Sequence, residues 1–241
     1  MEDIEEEKKE QENTEEVKPK NKKTIKKVLI IIGILIVLAI VGMFAYAIVA
    51  PIMREDTTAY KPIIYLYPEK TTEVTVKLGS PGKIICSYPK YTNGWNVIAN
   101  PDGTLVDTNT GRKLYSLYWE GLDDNKYDLE EGFVVKGDEV IEFLEEKLGI
   151  LGLNEFEAEE FIVYWLPKLE SNKYNYIRFA TMEEINKNMP LEFSVEPDTI
   201  IRVLMQYKRL DEPIEVKEQE LVTPERNGFV AVEWGGSELE Y

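Results

Sequence analysis

The chain has 241 residues, with 45 acidic side chains against 28 basic ones and a formal net charge of -17, so nucleic acid is a poor partner. It has no histidine and one cysteine, Cys86, which excludes an internal disulfide, Ser-His and Cys-His nucleophile pairs and most zinc sites. Neither a phosphate-cradling P-loop nor a dinucleotide glycine fingerprint is present, and no cofactor is expected.

Residues 1–27 read as a charged cytoplasmic tail. Their first 17 residues carry almost nothing apolar and cannot bury enough surface to order themselves. Six lysines between Lys18 and Lys27 then precede an apolar run over 28–50, in which 15 of 23 residues are Leu, Ile, Val or Phe. Insertion of such a run is favourable by about 5 to 9 kcal/mol, and as a helix it reaches roughly 34 Å, enough to cross a bilayer. The lysines hold the N-terminus in the cytoplasm, because Arg54, Glu55 and Asp56 on the far side nearly cancel. A removable signal peptide competes with this anchor, since Ala45-Tyr46-Ala47 has the small-x-small form of a cleavage site. The apolar run exceeds the h-region length of about 15 residues, which favours an uncleaved signal-anchor.

Residues 51–60 read as a linker and 61–241 as one extracytoplasmic domain, the two together carrying a charge of -16. Its first half is strand and turn. Lys61 to Tyr67 and Glu73 to Leu78 are β-rich, and Lys83 to Tyr88 and Trp95 to Ala99 read as a hairpin closed by Asn93-Gly94. Further strands are expected at Thr104 to Val106 and Lys113 to Trp119, on either side of a loop containing Asp107 and Asn109. In the second half, Asp138 to Leu148 has a helical apolar face with Asp138 as N-cap and Gly149 as terminator. Asn154 caps a short helix to Glu160, after which Phe161 to Leu166 (FIVYWL) is β-branched and aromatic and reads as strand, ended by Pro167. Strands at Tyr174 to Phe179, Ile200 to Gln206 and Gly228 to Trp234 and a helical turn at Thr181 to Asn186 complete the domain. The fold class is α+β: one transmembrane helix, then a β-rich domain with one or two helices, arranged as a sandwich or barrel-like sheet.

The strings KPIIYLYPEKTTEVTVKL from Lys61, GWNVIANPDGTL from Gly94, FIVYWLP from Phe161 and VEWGG from Val232 resemble a family of uncharacterised bacterial surface proteins of Gram-positive anaerobes. The resemblance covers the chain after Tyr60 and implies a domain displayed behind a signal or membrane anchor. It carries no activity, cofactor or site residue.

Candidate chemistry therefore comes from residue types. Trp119-Glu120 and Glu233-Trp234 each set a carboxylate beside an indole, a pairing suited to stacking on a sugar and accepting its hydroxyls. Glu120 and Glu233 are the catalytic candidates for a carboxylate-dependent glycan hydrolase, and Trp119 and Trp234 are ligand-binding candidates. Asp123, Asp124 and Asp128 are weak candidate calcium ligands, since their spacing fails the EF-hand pattern and a solvated loop accounts for them without an ion. Cys86 alternates with apolar neighbours and reads as a small core residue. The expected function is a membrane-anchored extracytoplasmic binding or interaction module of unknown ligand, with cell-wall glycan and other envelope proteins as candidate partners. The alternatives are a wall-glycan hydrolase and a scaffold for other membrane proteins.

Overall fold

The computed structural model describes residues 22–52, 57–123, 127 and 129–239 in two compact units, Met1–Arg54 and Glu55–Tyr241. The first unit contains helix α1 (Lys22–Ile52, 31 residues). Every residue from 26 to 44 is exposed. A helix that is apolar on all sides is suited to hydrocarbon. Among the described residues it is the one helix long and apolar enough to cross a membrane. The disordered tail expected at the N-terminus lies outside the described residues up to 21, while Lys22 to Lys27, assigned to that tail, are helical.

The second unit is mixed α+β. Its chain order is β1 (Thr57–Tyr67), β2 (Thr72–Leu78), β3 (Ile84–Tyr88), β4 (Trp95–Ala99), β5 (Leu105–Asp107), β6 (Lys113–Leu114), β7 (Leu117–Asp123) and β8 (Glu131–Lys136). Helices α2 (Val140–Ile150) and α3 (Glu155–Leu169) follow, then β9 (Tyr174–Phe179), α4 (Met182–Asn188), β10 (Leu191–Phe193), β11 (Thr199–Leu210), β12 (Lys217–Glu218) and β13 (Val230–Glu238). Eight strands form one sheet in the order β12-β8-β9-β11-β13-β1-β7-β3, and five form a second in the order β10-β2-β4-β5-β6. Neighbours are antiparallel except for the parallel pairs β11 with β13 and β12 with β8.

Strand alternation sorts the two main cores. On β1, Ile63 and Tyr65 point to the side of α2 and α3 and join Trp165, Phe161 and Trp234, while Ile64 and Leu66 point to the five-stranded sheet and join Trp95, Leu105 and Trp119. A strand covered on both faces has no polar alternation, which is why KPIIYLY is a nearly continuous apolar run. A third cluster, including Tyr176, Ile185 and Leu204, is contributed by β9, α4 and β11.

Several expectations are corrected. FIVYWL is helix, because Asn154 closes a capping box with Glu157 and the 3.6 period places Phe161, Trp165 and Leu169 on one buried stripe. That burial outweighs the weak β preference of the residue types. The segments 83–88 and 95–99 form no hairpin, since β3 pairs with β7 and β4 pairs with β2 and β5 in the other sheet. Asn93-Gly94, with Gly94 at φ +118°, thus carries the chain between sheets. Asp138 makes no cap bond and lies in a 3-10 turn ahead of α2. Gly149 lies inside that helix, and Gly152 at φ +88° follows its end. Cys86 is exposed on the edge strand β3. Of the linker, 51–52 are helical, 53–56 lie outside the described residues and 57–60 belong to β1.

Candidate binding cleft

Each tryptophan-carboxylate pair is split between the two faces of the eight-stranded sheet. Glu233 and Trp119 share one face: the Trp119 indole donates to Glu233 Oε1 at 2.9 Å, and Arg202 Nε donates to Glu233 Oε2 at 2.6 Å. Both charged side chains are 1% exposed, and Arg202 Nη1 also donates to Asn186 Oδ1 at 2.7 Å. Glu233 is thereby an internal counterion. Trp234 lies on the helix side, edge-on to Phe161 at 5.4 Å, and its indole donates to the Tyr65 hydroxyl at 3.2 Å. Trp119 and Trp234 are both 0% exposed, so neither presents a face for a sugar to stack on. Glu120, one residue from Trp119 and hence on the other side of β7, accepts the Lys61 backbone N–H at 3.3 Å.

Asp123 is buried and accepts from the Tyr127 hydroxyl at 2.7 Å, while Asp124 and Asp128 lie outside the described residues. Among the described residues no cluster of three or more histidine, cysteine, aspartate or glutamate side chains could hold a metal. Asp107 accepts from the Asn109 amide and the Thr110 hydroxyl, which accounts for it as a turn residue.

A different site lies where α3 passes over β1. Beyond α3, the helix side of the sheet carries two recesses of about 540 and 460 Å³ that share Tyr115. The first is lined by Tyr65, Tyr67, Tyr115, Phe156 and Glu160, and the second by Lys61, Tyr88, Tyr115 and Tyr118. Tyr65 and Tyr67 are two apart on β1 and therefore share a face, with ring centroids 6.4 Å apart and planes 7° from parallel. Tyr115 continues the row, its centroid 6.4 Å from that of Tyr65. Tyr115, at one end of the row, is 58% exposed, and Phe156 on the recess wall is 79% exposed.

The row is held by polar bonds. The Tyr65 hydroxyl donates to Glu160. Glu157, buried one turn earlier on α3, is fixed by Arg226 at 2.9 and 3.1 Å, and the Arg226 guanidinium lies 5.4 Å from the Tyr67 ring centroid. Gly103 supports Tyr67 from the neighbouring turn: its φ is +83°, and a Cβ there would lie 2.6 Å from the tyrosine ring. At the far end the backbone of Lys61 is left-handed, φ +52°, within the irregularity of β1, and its ammonium sits 4.8 Å from the Tyr164 centroid and 5.5 Å from that of Trp234.

Burial, seconded by carboxylates, pushes the cleft phenols up. Tyr65 rises through burial and then Glu160, Tyr67 through burial and then Glu157, and Tyr118 through burial and then Glu120. Tyr115 rises for the same reasons, burial first and Glu160 second. The cleft therefore offers ring faces, phenol hydroxyls and carboxyl oxygens, groups able to stack on and bond a polyhydroxylated chain. The alternation of Tyr65 and Tyr67 is visible in KPIIYLYPEK, but which face of a doubly covered strand stays open depends on where α3 ends. Set against protein-family models, curated proteins and solved structures, the chain finds no match.

Proposed function

We propose that the chain is a single-pass membrane protein with a cytoplasmic N-terminus, and that its C-terminal domain binds cell-wall glycan outside the cell through the tyrosine cleft. The observation that carries this reading is the row Tyr67, Tyr65 and Tyr115 with Glu160 hydrogen-bonded at its centre. The lysine-flanked apolar helix supports the anchor and its direction. The resemblance to Gram-positive surface proteins agrees with that location. Titrating the full-length protein in uncharged detergent micelles with soluble wall-glycan oligosaccharides tests the binding. Saturable binding lost in Tyr115→Ala, whose side chain is largely exposed, supports the reading, and undiminished binding refutes it. Protease added to intact cells tests the topology: a domain digested only after lysis refutes an external location.

A hydrolase reading is favoured by one observation. Glu120 stands beside Lys61 at one end of the cleft, and Glu160 beside Tyr65 at the other. Release of shorter glycans that ceases in Glu120→Gln or Glu160→Gln would replace binding by catalysis.

A further inference from the structure

A second groove, of about 890 Å³, lies at the opposite edge of the eight-stranded sheet, along β8. Strand β8 is paired with β9 from Phe133, opposite Ile177, to Lys136, opposite Tyr174. On its other side β12 covers only Glu131 and Gly132. From Phe133 to Lys136 that side has no strand partner among the described residues, so its outward N–H and C=O groups form a template for one more strand.

The floor of the groove is aromatic and its rim acidic. Phe133 and Phe143 meet edge to face at 5.1 Å. Lys147 demonstrates what these rings accept, because its ammonium lies 5.2 Å from the centroid of Phe133 and 5.9 Å from that of Phe143. Glu139 is paired with Lys136 and Glu146 with Lys147. Glu142, Glu215 and Glu218 also line the groove, are exposed, and have no ion pair among the described residues.

We infer that this groove takes an extended, lysine- or arginine-bearing segment of a partner protein, which adds to β8 as a strand. Every second side chain of that segment passes over Phe133 and Phe143, and its cations meet the three unpaired glutamates. A second copy of this chain is a poor occupant, because it would set the same glutamates against themselves on a molecule of charge -17. The edge at Phe133 to Lys136 thus has a use for its unpaired backbone, where a purely structural edge would be shortened or covered.

The test uses full-length protein in uncharged micelles and a fluorescein-labelled octapeptide of alternating lysine and valine, followed by anisotropy. Saturable binding is expected, weakened about tenfold in the combined variant Glu142→Gln, Glu215→Gln, Glu218→Gln, since three rim pairs are lost together. N-methylation of every second peptide bond of the probe should abolish binding and leaves the protein untouched. Equal affinity for the N-methylated probe, for an alternating glutamate and valine probe, or of the triple variant would overturn the inference, as would the absence of saturable binding.

Discussion

Replacing Glu233 by glutamine separates a structural from a catalytic carboxylate. The substitution keeps the shape and one acceptor but removes the charge that Arg202 meets at 2.6 Å, in a site where both side chains are 1% exposed. Asn186 still accepts one bond from the guanidinium, yet supplies no charge. Removing one member of a buried pair costs about 3 to 5 kcal/mol, which in a domain of this size is a fall in Tm of roughly 6 to 20 °C. Urea unfolding of fragment 55–241, followed by tryptophan fluorescence, should show a lower midpoint with an unchanged slope. The double variant Arg202→Met, Glu233→Leu should recover about half of the loss or more, because no unpaired charge is left inside. A loss below about 1 kcal/mol in Glu233→Gln, or a double variant less stable than the single one, would refute the account of Glu233 as a counterion.

Gly103→Ala should lower both stability and glycan affinity: the left-handed backbone costs about 1 to 2 kcal/mol for a residue with a Cβ, and at 2.6 Å that Cβ displaces the Tyr67 ring. Calorimetry together with the glycan titration checks it, and wild-type affinity would show that Tyr67 is outside the binding surface. Asn154→Ala removes a capping box in which Asn154 Oδ1 accepts the Glu157 amide at 3.0 Å, and should cost about 1 kcal/mol by the same urea assay. Alkali should unfold the domain. The Tyr65 phenol is raised above its usual value of 10.0 by burial and then by Glu160, so its contribution is complete below the unfolded pKa. That contribution is lost as pH climbs past about 10, at about 1.4 kcal/mol per pH unit for Tyr65 alone. Ionisation of Tyr65 should therefore appear together with loss of structure, and Tyr65 ionising in a folded domain would contradict the assignment.

The apolar helix and most strands were legible because each rests on local pattern: a long uninterrupted run, or apolar residues bounded by Gly, Pro and Asn turns. FIVYWL was misread for a physical reason. Its β-branched and aromatic residues carry only fractions of a kcal/mol of local preference, whereas the stripe Phe161, Trp165 and Leu169 against the sheet is worth several. The 83–99 region failed because a hairpin and a crossing between sheets share the same turn chemistry, and only the β3 to β7 pairing distinguishes them. The tryptophan-glutamate pairs show the limit of adjacency, since consecutive strand residues face apart. Trp119 therefore finds its carboxylate in Glu233, 114 positions away. The cleft was hidden because Tyr65 comes from β1, Tyr115 from the bend between β6 and β7, and Glu160 from the misread helix.

Strand β1 starts at Thr57, five positions after the last residue of α1, and the same strand carries Tyr65 and Tyr67. On the proposed reading, a pull on the anchor and a hold on the wall would both act on β1, which is flanked by antiparallel ladders to β13 and β7. Tension between cell and wall would run lengthwise down that strand and load its ladder bonds in shear, many at once, sparing the rest of the domain from being peeled open.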